Sequence, residues 1–229
     1  MQAEQVMQEL AQLGTAQNVA IYARHGVTDP MFGVSFANLN ALKKKIKTNH
    51  ALALALWDTG NHDARLLATM IADPDALDAK TLDAWVKGVS DYIVADAFAK
   101  LALRTKFARK KAERWTQAKP EFVARCGWHM LAVLALNDTT LPDTFFQPYL
   151  ELVANTIHAR PNRAKEAMNN ALIAIGTRNA NLEHEALEIA ARVGKVQVDH
   201  GLTNCKTPDA TQYILKTIQR KGYVTQNVN

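Results

Sequence analysis

Apolar residues recur at three- and four-residue spacing along nearly all of the 229-residue chain, a period that admits helices and little else. Only 10 Gly and 7 Pro interrupt it. A sandwich or barrel would need a turn signal every ~8–12 residues. Val6, Leu10 and Leu13 set the pattern for a helix over residues 1–13. Ser35 is a good N-cap for a helix over 36–47, in which Phe36, Leu39, Leu42, Lys43 and Ile46 share one face. Asn49 caps 50–58, which Gly60 ends, and Asn61 caps 62–72, which Pro74 closes. The same spacing predicts helices over 81–88, 90–103, 105–118, 121–136, 143–158, 162–175, 182–193 and 209–220, with no convincing strand.

Connections of mostly two to six residues imply antiparallel helix hairpins. Helix pairs of roughly 35–45 residues with similar Ala-rich faces suggest degenerate HEAT-type repeats, with a closed bundle as the alternative. The expected architecture is all-α: a right-handed α-α superhelix, a HEAT-like helical repeat solenoid, forming one domain over residues 1–222 with a flexible tail at 223–229. The polar segment 194–208 reads as an ordered loop that folds back before the last helix.

The two cysteines, Cys126 and Cys205, give no disulfide framework and no metal spacing. The first thirteen residues carry Glu4 and Glu9 and do not read as a secretory signal. No window approaches the ~20 apolar residues that cross a bilayer. The expectation is a cytoplasmic monomer without metal or organic cofactor.

Charge is unevenly distributed in a chain of net charge +5. Residues 58–96 hold eight Asp against three basic side chains, whereas residues 97–125 hold nine basic side chains against two Glu. Lys43, Lys44, Lys45 and Lys47 form a second basic group, and Arg160, Arg163 and Lys165 a third. One basic run is usually a solvated helix face. Three on one repeat scaffold can form a track for a phosphate backbone, with Lys43, Lys44, Lys106, Arg109, Lys110, Arg163 and Lys165 as the candidates.

Three segments carry side chains suited to chemistry. Tyr92 and Asp96 are four residues apart and share a helix face, an aromatic beside a carboxylate; the plainer alternative makes Asp91 a cap, Tyr92 half-buried and Asp96 a surface acid. Arg125, Trp128 and His129 share a face of an apolar helix, where the arginine must find a carboxylate (Asp91 or Asp96), a phosphate or water. Asn169 and Asn170 sit among Ala, Met and Leu, where buried amides either tie helices together or face a ligand groove. No Gly-rich phosphate loop, nucleophile elbow or His/Cys metal pattern occurs.

The order of these motifs resembles the DNA alkylation repair enzyme family, the HEAT-like alkylpurine DNA glycosylases. Gly33, Val34, Leu39, Leu56, Trp57, Arg65, Leu66 and Leu67 match its entry helices, and residues 88–98 fall where the family has a Trp-Asp-x-x-Asp-like motif. The resemblance spans roughly residues 20–195. It implies a helical-repeat scaffold that holds double-stranded, damaged DNA and hydrolyses the N-glycosidic bond of cationic N3- or N7-alkylpurines. The alternative is a non-catalytic repeat protein that binds DNA or a protein partner. By the resemblance, Asp96 takes the catalytic place, Tyr92 that of a Trp, Arg125 that of an active-site Arg, and Asn170 that of a second Trp. Trp128 is the candidate to replace that lost aromatic. Alkylation already makes the purine a cationic leaving group. A carboxylate would stabilise the developing oxocarbenium sugar and orient water, an aromatic face would add roughly 0.5–2 kcal/mol of cation–π attraction, and Arg125 would hold the adjacent phosphate.

Overall fold

The computed structural model describes residues 2–221, Lys221 by its backbone alone. The expected tail at 223–229 lies outside the described residues. Among the described residues, thirteen α-helices run in order with one short 3₁₀ helix, and no strand occurs. The described residues pack as two compact units, 2–111 with 200–204 and 112–199 with 205–221.

The first unit begins with α1 (Ala3–Leu13), α2 (Ala16–Arg24), α3 (Phe36–Ile46), α4 (His50–Asp58) and α5 (His62–Ile71). It continues through α6 (Ala79–Lys87) and α7 (Tyr92–Ala102). Short polar side chains start these helices: Ser35, Asn49 and Asn61 accept the amides of Asn38, Leu52 and Ala64, as their sequence places predict. α2 is the helix that the apolar spacing does not predict. It buries only Tyr22, and its clearest local signal is Thr15, which accepts the amide of Asn18. α5 packs against α3, α4 and α7. Trp57 and Trp85 stack at 4.3 Å with Phe98 beside both, forming an aromatic centre under α7.

The boundary between units falls within α8 (Ala108–Thr116). The second unit then contains α9 (Glu121–Asn137), α10 (Asp143–Thr156), the 3₁₀ turn Ile157–Ala159, α11 (Asn162–Gly176), α12 (Ala180–Val193) and α13 (Ala210–Lys221). α11 is flanked by α9, α10, α12 and α13. Trp128, Leu131, Phe146, Leu150, Met168, Leu172, Leu182 and Ile214 form the core between them. Residues 194–208 are irregular, as expected of a loop, and Asn162 brackets Asp199 with two hydrogen bonds.

Gly127 lets two helices of this unit approach closely. A Cβ there would lie 2.3 Å from the Thr116 amide nitrogen and 2.5 Å from the Trp115 carbonyl carbon, so the end of α8 rests directly on α9. Gly127→Ala has to push backbone aside and should destabilise the second unit by about 1–3 kcal/mol. Urea unfolding followed by a probe in this unit checks it; an unchanged midpoint would refute the tight contact.

Candidate nucleic-acid interface

The residues around Tyr92 are fixed from below by a buried polar pair. Asp91 caps α7, its Oδ1 accepting the amides of Ile93 and Val94. Its Oδ2 lies 3.0 Å from His62 Nδ1, with both side chains almost wholly out of water. The capping role open to Asp91 in the sequence is therefore the one it takes, and its side-chain partner is His62. Tyr92 begins α7, and its hydroxyl is 2.5 Å from His25 Nδ1, with the two rings edge to face. Backbone capping and the phenol contact together hold the ring in one place.

Asp96 follows one turn later. Tyr92, Ile93, Asp96, Ala97, Lys100, Leu101 and Arg104 form one wall of a cleft of about 460 Å³. Phe36, Asn40 and Lys43 of α3 form the other wall, with Thr69 and Met70 of α5 also lining it. Lys43, Lys100 and Arg104 are exposed cations around the single carboxylate of Asp96. The structure thus brings Tyr92, Asp96 and Lys43 together. Lys100, Arg104 and Phe36 line the cleft too, although sequence reasoning does not count them among the site residues, and His25 holds Tyr92. The 36–40–43 spacing was the available signal. It splits the face predicted for α3: Leu39 and Leu42 are buried, while Phe36 is 44% exposed and faces the cleft with Lys43.

In the second unit, Arg125 donates to Glu166 Oε2 at 2.7 Å and to the Arg163 carbonyl at 3.2 Å. Glu166 is thus a carboxylate partner of Arg125 that the sequence reading does not name. Burial pushes the Glu166 carboxyl up, but Arg125 and Arg163 outweigh burial and hold it below the usual range. Trp128 is 1% exposed and meets Tyr149 edge-on, so the structure puts this ring in the core and not on a cleft wall. The two asparagines part: Asn169 is buried and donates to the Pro208 carbonyl, whereas Asn170 is exposed. Asn170 lines a separate cleft of about 590 Å³ with His129, Leu136, Ile173, Tyr213 and Arg220.

Several of the basic residues are held by carboxylates or carbonyls. Lys111 is buried against Asp83 and the Ala79 carbonyl, Lys45 pairs with Glu9, and Arg163 shares Glu166 with Arg125. Lys44, Lys106, Arg109 and Lys110 are exposed, and Lys165 is half-buried. No helix among the described residues is long and apolar enough to cross a membrane.

Known proteins resemble this chain along nearly its whole length. The chain is 26% identical to uncharacterized protein Lin0241 of Listeria innocua and to uncharacterized protein Lmo0209 of Listeria monocytogenes, in each case over 95% of this chain and 97% of the relative. A solved structure described as a new family of proteins related to the HEAT-like repeat DNA glycosylases with affinity for branched DNA structures superposes with a TM-score of 0.87. It is 34% identical and is covered over 95% of its length by 96% of this chain. The fold is thus the all-α HEAT-like helical repeat. The family described as DNA alkylation repair enzyme matches residues 6–214. With that span and that fold, the chain belongs to the DNA alkylation repair enzyme family.

Proposed function

We propose that this protein binds DNA, with branched duplexes preferred over linear ones, and that the cleft between α3 and α7 is part of the contact surface. The carrying observation is the cleft itself, where Lys43, Lys100 and Arg104 surround Tyr92 and Asp96. Exposed cations beside a concave, partly aromatic surface suit phosphates flanking a sugar and base. The described affinity of the 34%-identical solved relative for branched DNA supports the same reading.

Neutralising phosphates releases condensed counterions, so affinity should fall steeply with salt. Binding to a four-way junction and to a linear duplex, titrated by fluorescence anisotropy at rising salt, checks both parts. Lys100→Ala with Arg104→Ala should make the log–log salt slope shallower by about 2. Equal affinity for junction and linear duplex would overturn the branch preference, and an unchanged slope would remove the cleft from the contact surface.

A second reading, base excision at Asp96, is favoured by the placing of Asp96 one helical turn from Tyr92 in that cleft. Asp96 would stabilise the oxocarbenium sugar and orient water, with Tyr92 as the π face. It stands second because Trp128 is in the core and Arg125 is engaged with Glu166. Release of methylated purines from methylated DNA by wild type, lost in Asp96→Asn while DNA affinity is kept, would move it to first place. No release by wild type would end it.

A further inference from the structure

Both cleft walls change character in the same sense along their helices. On α3 the lining runs from Phe36 at the first residue through Asn40 to Lys43; on α7 it runs from Tyr92 through Asp96 to Lys100, with Arg104 just beyond the helix end. Each wall therefore passes from an aromatic ring, through a polar centre, to cations. The seven residue steps from Phe36 to Lys43 cover about 10 Å of helix, comparable with the reach from a base to its neighbouring phosphates. We infer that the cleft takes a single unstacked nucleotide at a DNA branch point, with its base laid on Phe36 and its phosphates at Lys43, Lys100 and Arg104. The inference rests on the DNA-binding reading above and names the part of the DNA that this site recognises.

Phe36 is the residue that makes the cleft selective for structure. Its ring is 44% exposed although Leu39 and Leu42, on the next turns of the same helix, are 0% and 2% exposed. Ser35 caps the helix immediately before it, which fixes where the ring emerges. An exposed phenyl gains by being covered, and a base face covers it without regard to sequence, because every base has a π face. In a linear duplex every internal base pair is stacked on its neighbours and presents no face to the ring. At a branch point stacking is interrupted, and a face is available without the cost of unstacking it. Three cations against one carboxylate favour a polyanion as the bearer of that face over an apolar peptide side chain.

The test uses the full chain and a four-way junction carrying 2-aminopurine at the branch, beside a linear duplex of the same arm sequence. Phe36→Ala should lower junction affinity about tenfold, the scale of one base–aromatic stack, and lower linear-duplex affinity far less, so that the junction preference is lost. Phe36→Trp should keep the preference. Wild type and Phe36→Trp should quench 2-aminopurine on binding, and Phe36→Ala should not. Phe36→Leu keeps apolar volume without a π face and should behave as Phe36→Ala, which covers the case of an unstable alanine variant. A junction preference or quenching that survives Phe36→Ala and Phe36→Leu overturns the inference alone. A wild type with no junction preference overturns the reading under Proposed function, and the inference with it.

Discussion

Asp63→Ala should destabilise the first unit by about 3–5 kcal/mol, the largest loss expected from any single side chain there. Asp63 is wholly buried near the start of α5, and its carboxylate accepts three successive amides: Phe32 at 2.6 Å and Gly33 at 3.1 Å on Oδ2, and Val34 at 2.8 Å on Oδ1. The same segment gives its carbonyls away, Gly33 to the Thr15 amide and the Asn18 side chain, and Val34 to the Tyr22 hydroxyl. Gly33 has a φ of +78°, and a Cβ there would lie 2.6 Å from the Thr15 carbonyl oxygen. Removing the carboxylate strands up to three donors, each costing about 1–3 kcal/mol when left unpaired out of water. Asp63→Asn keeps one acceptor oxygen but turns an NH₂ toward the amides, so it should recover only part of the loss. The urea midpoint should fall by more than about 1 M for Asp63→Ala. Amide exchange at residues 32–34 should accelerate with it. A midpoint unchanged in both variants would show that the carboxylate does not hold this segment.

That role shows what sequence reasoning can and cannot reach. The caps Ser35, Asn49, Asn61 and Asp91 are legible because a cap is a local event, decided by a short side chain and the next three residues. Asp63 is not, because it reads as one more member of an acidic block until the chain brings residues 32–34 onto it. The pairing of Tyr92 with Asp96 is legible as four-residue spacing on one helix, and the structure opens a cleft on that face. Trp128 fails for the opposite reason. Val123 through Trp128 of α9, together with Met130, Leu131 and Ala135, are all buried, so the helix is apolar nearly all round. Spacing then puts Arg125, Trp128 and His129 on one face but cannot say whether that face meets solvent or core. Lys111 misleads in a similar way: a long aliphatic stem lets its ammonium reach Asp83 from a run that looks like solvated charge.

Arg125 is the residue on which the family resemblance and the structure can be separated most sharply. If its work is the ion pair, Arg125→Ala should cost about 3 kcal/mol in the second unit, because it takes from the largely buried Glu166 carboxylate the nearer of the two arginines paired with it. Removing both ends, Arg125→Ala with Glu166→Ala, should recover part of that loss, since the buried carboxylate goes with its partner while Arg163 gives up its own pair with Glu166. The pH dependence has a defined sign. The folded Glu166 carboxyl titrates below its ordinary value near 4.5, so its contribution to stability is present above that pH and is lost as pH falls through the folded value. Without Arg125, burial gains weight against the remaining attraction of Arg163, and the penalty of the single variant should shrink between pH 7 and about pH 4 as Glu166 takes up a proton. Urea unfolding of the three proteins at both pH values measures this. DNA binding decides the rest. A stable double variant that binds DNA with the wild-type salt slope assigns Arg125 to the scaffold. One that folds fully but loses about one unit of slope returns it to the phosphate, because a released counterion is the mark of a charge that meets DNA.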